Sequence, residues 1–275
     1  MLIAFVRSPG RGPAVWVRYP RHEGQARPEP MQAPVPQAVW DEVVQRSDGF
    51  DRSFAPRADA DSEGPLICGH AWTYTIEAAS RPMGYEPARI RRKTEGACER
   101  GPGTRFARDV ERLALPLFPH CAALDPDLFR NPASMLDACR LLHGDRLAAA
   151  EVLNLAHVFN RVSTREEAGL MRSRFDRRAT IDWNGVRNSG DGSALAFWIE
   201  RIWAARRPSF FVQSVDGETA DRVRLVAMLS RTVEGSEADP RYERARVLQI
   251  WVRDATGEMK VGSATVGPWE PSESG

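Results

Sequence analysis

The chain has 275 residues, 42% hydrophobic and 27% charged, an ordinary balance for a globular protein with ample material for a core. Its 38 Lys plus Arg against 37 Asp plus Glu argue against a nucleic-acid scaffold and an acidic tail protein. No stretch approaches the ~18 to 20 apolar residues that a membrane helix requires, so no membrane insertion is expected.

Residues 1–36 carry Pro9, Pro13, Pro20, Pro28, Pro30, Pro34 and Pro36. That composition reads as a disordered Arg/Pro-rich leader without a stable fold. Its apolar clusters, Leu2 to Val6 and Ala14 to Val17, are broken by Pro9, Gly10, Arg11 and Pro13, so no signal peptide is expected. A segment from 37 to 144 should be mostly helical. It opens with a short amphipathic helix from Val39 to Val44, and a polar stretch runs from Arg46 to Glu63. Leu66 to Ala78 alternates at Trp72, Tyr74 and Ile76, which predicts a strand with Thr73, Thr75 and Glu77 facing water. The basic run Arg89, Arg91, Arg92 and Lys93 reads as a solvated turn. Phe106, Val110, Leu113 and Leu117 are spaced for a helix over Thr104 to Leu117, and a second helix is expected from about Pro132 to Leu142.

His143-Gly144-Asp145 reads as a stop and restart, with Gly144 suited to a helix C-terminal cap and Asp145 to an N-cap. Beyond it, 145–270 should form one α+β domain, with 271–275 a tail. In the helix over Leu147 to Arg161, Val152, Leu155, Ala156 and Phe159 share a stripe, flanked by Asn154, His157 and Arg161. Another helix, Arg165 to Phe175, leads to a strand over Ala179 to Asn184. There Ile181 and Trp183 alternate with Thr180 and Asp182. Asp191 and Ser193 can cap the next helix, striped by Leu195, Trp198, Ile199 and Ile202. Four strands follow, Phe210 to Val215, Val223 to Thr232, Arg246 to Arg253 and Met259 to Val266. Turns at Asp216-Gly217, the Gly235 to Pro240 loop and Thr256-Gly257 favour an antiparallel meander.

Phe175 to Gly185 (FDRRATIDWNG), the helix after it and the closing WVRDATGEMKVGSATVGPWE resemble the NTF2-like, or SnoaL-like, superfamily in order and texture, over less than half of the chain. The resemblance implies an α+β cone, a bent antiparallel sheet packed on helices around a cavity. It is preceded here by the mostly helical, cysteine-containing segment. Such folds serve isomerases, dehydratases, cyclases, hydrolases and catalytically silent binding modules, so the fold does not choose a reaction. Members doing proton chemistry usually carry an acidic base, often with a Tyr or His. Tyr19, Tyr74, Tyr85 and Tyr242 all read as lying outside the helices and strand cores of 145–270. The titratable candidates are therefore His157 and Asp182, a carboxylate and an imidazole that could do general-base work if buried together. Each has a plainer reading, a boundary histidine and a solvent-facing carboxylate. Trp183, Trp198 and Trp251, with Trp203, could line a pocket for a flat apolar ligand or could simply be core.

All four cysteines, Cys68, Cys98, Cys121 and Cys139, precede residue 145. An even count fits two disulfides, with three possible pairings; Cys68 with Cys98 and Cys121 with Cys139 is the favoured one. Four free core thiols are the alternative. Without a C-x-x-C, and with Cys68-Gly-His70 the only close ligand pair, no metal site is expected. A thiol nucleophile beside His70 or His120 is disfavoured further. Disulfides favour a periplasmic or secreted protein over a cytoplasmic one, against the missing leader. Three readings follow. The first is a ligand-binding module without a catalytic set or cofactor, dimeric through the outer face of its sheet. The second is an isomerase, dehydratase or hydrolase using Asp182 and His157. The third is a disulfide-stabilised structural or interaction protein.

Overall fold

The computed structural model describes residues 1–8, 10–19, 29–48, 72–80, 89–97, 102–129, 131–160, 171, 173–190, 193–205, 208–236 and 239–272. The chain divides into two compact units, one of Met1–Pro119 with Arg130–Asp137, the other of His120–Phe129 with Ala138–Gly275.

The first unit overturns the expected disordered leader. β1 (Leu2–Val6), β2 (Ala14–Arg18) and β3 (Met31–Pro34) form an antiparallel sheet in that order. Val15, Val17, Met31, Ala33 and Val35 are buried, at the alternate spacing a half-buried strand requires. Proline content misleads here because Pro13, Pro30 and Pro36 lie outside the strands and Pro34 closes β3, where a missing N–H costs least. The buried Tyr19 hydroxyl donates to the Leu136 carbonyl at 2.6 Å, fixing this sheet against the later helix. α1 (Gln37–Asp48) extends the expected helix at both ends, and Arg46 joins it through Asp109 (2.9 Å) to α2 (Pro102–Ala114).

β4 (Trp72–Ser80) and β5 (Arg89–Ala97) form a second antiparallel pair. Thr75 and Glu77 are exposed, as the alternation requires. The basic run is not a turn. It lies on β5, where Arg92 stands opposite Glu77 and pairs with it, and Arg91 donates to the Ser47 carbonyl at 2.8 Å. Among the described residues of 37–144, this strand pair stands beside the helices α1 and α2. Leu66 to Ala71, Tyr85, and the Cys68 and Cys98 pairing lie outside the described residues, as does most of the helix expected from Arg165 to Phe175, whose last residue instead opens a strand.

The second unit begins earlier than expected. α3 (Pro119–Ala122) and the 3-10 turn Cys139–Leu141 bring Cys121 and Cys139 into it, joined as a disulfide, whereas the sequence assigns both to the segment before 145. α4 (Pro132–Ala138) stops at that turn, and β6 (Leu142–Gly144) follows. α5 (Arg146–Ala156) is capped by Asp145, whose carboxylate accepts from the Ala148 N–H at 3.2 Å. After β7 (Phe175–Trp183) and β8 (Val186–Ser189), α6 (Ser193–Ala204) buries Leu195, Phe197, Trp198 and Ile202.

The meander is β9 (Ser209–Thr219), β10 (Arg222–Ser236), β11 (Asp239–Arg253) and β12 (Met259–Val266), antiparallel throughout. The sheet order is β6-β9-β10-β11-β12-β7-β8. It is mixed rather than purely antiparallel, because β7 and β6 pair parallel with β12 and β9 at the end of long crossovers. Bulges at Val226/Ala227 and Ile250/Trp251 bend it. The residues expected as a tail carry β13 (Glu270–Ser272), paired with β11.

Asp216-Gly217 is not a turn. β9 runs through it, and the chain reverses at Ala220-Asp221 instead. Gly217 is required because the Asp145 N–H donates to its carbonyl at 2.8 Å, and a side chain there would meet the Asp145 carbonyl oxygen at 2.2 Å. Gly144, read as a helix cap, answers the same contact. Its φ is +61°, and a side chain on it would meet the Gly217 oxygen at 2.3 Å.

Two turns and a helix of the unit are tied together by Arg253 at the end of β11. Its guanidinium forks onto Glu151 of α5 (3.2 and 2.8 Å), reaches Asp221 (3.2 Å) and donates to the Gly257 and Ala220 carbonyls (2.7 and 3.0 Å). The Glu151 hydrogen bond, above all, raises its pKa. Arg253→Ala should cost about 1–2 kcal/mol in urea denaturation, with Arg253→Lys restoring less than half, because an ammonium cannot span the fork. Full recovery by lysine would show that only the charge matters.

Candidate functional site

The 3-10 turn His157–Asn160 continues α5 and sets two side chains to different tasks. Phe159 turns inward. Its ring lies 5.3 Å from Phe210 and stacked, and 5.6, 6.0 and 6.1 Å from Trp198, Phe175 and Trp251 in edge-on geometry. Trp183 completes the group at 5.4 Å from Trp198. All six rings are buried, Trp251 at 0% exposure and Trp198 at 1%. The six rings pack on one another as buried core, Trp183, Trp198 and Trp251 among them.

His157 faces elsewhere. It meets Phe129 edge to face at 5.2 Å and borders a cleft of about 210 Å³ walled by Phe129, Leu141, Leu153, Ala156 and Phe210. Asp182 is not there. Between buried Ile181 and Trp183 on β7, its side chain leaves by the opposite face of the sheet. The carboxylate accepts from the Gly185 N–H (2.9 Å) and lies 3.7 Å from Arg187. It thereby braces the two-residue turn Asn184-Gly185, whose φ values of 50° and 81° suit Asn-Gly. Asp182 and His157 thus do not form the acid–base pair the sequence allowed. Tyr242, read as loop, stands on β11 and is 39% exposed.

Three of the solved structures to which the chain is similar are as follows. One is a ketosteroid isomerase-like protein from Erwinia carotovora atroseptica (10% identical, TM-score 0.33, covering 43% of this chain and 94% of that one). Another is the hexachlorocyclohexane dehydrochlorinase LinA-type3 from Novosphingobium barchaimii (18%, TM-score 0.36, 46% and 92%). The third is a protein of unknown function with a cystatin-like fold from Nostoc punctiforme (15%, TM-score 0.37, 48% and 97%). No family model and no curated protein matches the chain.

The cleft residues escaped the sequence because Phe129, Leu141 and Phe210 come from three separated segments with no common period. One buried polar group escaped it as well. Gln249 on β11 is fully buried, and its Oε1 accepts from the Trp251 indole N–H at 3.0 Å. Its Nε2 finds no acceptor among the described residues. The signal was a lone amide within the apolar run Val247 to Val252. The other polar cluster is His120 with Cys121 and Cys139. Burial, followed by the nearby Arg146 charge, lowers the His120 pKa.

Proposed function

We propose that the second unit is an NTF2-like binding module that takes a small apolar or aromatic ligand in the cleft beside His157. The element order, helices followed by β7, β8, α6 and the β9–β12 meander, supports the NTF2-like assignment. The cleft carries the ligand assignment. Its walls are apolar and aromatic, with His157 at its border. A volume of about 210 Å³ lies below the ~300 Å³ at which drug-sized pockets begin, so the guest has one or two rings. With the six aromatic rings packed as core, the ligand is assigned to this cleft.

Indole and anilinonaphthalene sulfonate are suitable probes, titrated by calorimetry into the full chain. Micromolar to millimolar binding is expected for at least one, weakened at least tenfold by Leu141→Trp, which fills the cleft from its half-exposed wall. His157→Ala should weaken it less. Unchanged affinity in Leu141→Trp would place the guest elsewhere and overturn the assignment.

A further inference from the structure

His120, Cys121 and Cys139 form a cluster that the cleft does not use. His120 and Cys121 stand side by side on α3, and Cys139 opens the 3-10 turn before β6. One ligand atom from each lies within 4.8 Å of the other two, with both sulfurs buried and the imidazole half-buried. As a disulfide the sulfurs offer no thiolate, the form in which cysteine binds zinc.

We propose that disulfide and metal are alternative closures of this one cluster, and that after reduction the His120 imidazole and the Cys121 and Cys139 thiolates hold one Zn²⁺. A water can fill the fourth position. Two thiolates at about 2.3 Å from a tetrahedral zinc stand about 3.8 Å apart. The Cα separation of 5.4 Å allows that spacing by side-chain rotation alone. Two thiolates and one imidazole are a thiophilic set suited to zinc. Charge agrees as well. A zinc ion with two thiolates is neutral, so the Arg146 charge acting on His120 does not oppose it.

The cluster's two arms are anchored without the S–S bond. Asn154 of α5 accepts from the Asp125 N–H at 2.9 Å and donates to the Ala123 carbonyl at 3.0 Å, which holds the chain just after α3. On the other arm, β6 follows Cys139 and pairs Leu142 with Val215 in the sheet. Reduction therefore leaves the three ligands near one another. In the exchange, a dithiol reductant passes two electrons and two protons to the Cys121–Cys139 disulfide and leaves as its own disulfide. Zinc then binds both thiolates, and their two protons go to solvent.

The test uses the full chain with Cys68→Ser and Cys98→Ser, which removes the other two thiols. After reduction with a phosphine, one Co²⁺ per chain should bind with thiolate-to-metal charge-transfer absorption, be displaced by Zn²⁺, and fail to bind the oxidised protein. Cys139→Ser should lose the charge-transfer band, and His120→Ala should bind Zn²⁺ at least tenfold more weakly. Without any further substitution, Zn²⁺ should also protect Cys121 and Cys139 from alkylation, mapped by peptide mass. No band and no protection in the reduced protein would overturn the proposal, as would undiminished binding in either variant.

Discussion

Phe159→Ala is expected to lower the free energy of unfolding by about 3–5 kcal/mol, the range for deleting a fully packed phenylalanine. Phe159 meets four aromatic rings within 6.1 Å. The rings come from the β7, β9 and β11 strands and from α6, so their collapse into the gap would require the sheet and helix to move together. A cavity should therefore persist. Urea midpoints would measure the loss, and benzene or indole added to the variant should raise its midpoint by mass action, as a ligand binding only the folded state does. A loss below about 1 kcal/mol would mean that the Phe159 ring is not close-packed as described.

Much of the second unit was legible, for reasons that separate it from the rest. β7 alternates from Ala179 to Trp183 because one face is buried there. The stripe of α6 is long enough to be unambiguous, and Asp145 stands where a cap belongs. The failures share a cause, which is that local signals are decided by distant partners. Asp216-Gly217 has turn chemistry, yet the glycine is there to admit the Asp145 backbone. Leu142 to Gly144 has too few residues to declare itself a strand and becomes one only beside β9. Prolines in residues 1–36 punctuate short strands, which composition alone cannot distinguish from disorder. At the site, spacing marked Trp183, Trp198 and Trp251 as buried aromatics, and spacing does not show whether space remains beside a buried side chain.

Raising the pH from 5 to 8 should weaken the first unit through Glu111, and Glu111→Gln should remove that weakening. Glu111 on α2 is buried at 5% exposure, and burial pushes its carboxyl from the ordinary 4.5 up to about 7. The opposing influences are weaker, first the Arg108 charge, then a hydrogen bond from the Ala133 backbone at the start of α4, then Arg112. A carboxyl with a raised pKa keeps its proton longer in the folded chain than in the unfolded one. Its stabilising contribution is full below 4.5 and declines as pH rises, becoming lost through about pH 7. The whole effect is on the order of 3 kcal/mol. His120 acts with the opposite sign, since its lowered pKa costs stability as pH falls through its ordinary 6.5. The wild-type curve therefore mixes the two, and the difference between wild type and Glu111→Gln isolates the carboxyl. Glutamine keeps an acceptor for the Ala133 N–H and carries no charge, so the variant should be the more stable protein at pH 8 and nearly equal to wild type at pH 5. Parallel urea midpoints for the two proteins across that range would show that Glu111 is solvated and ordinary.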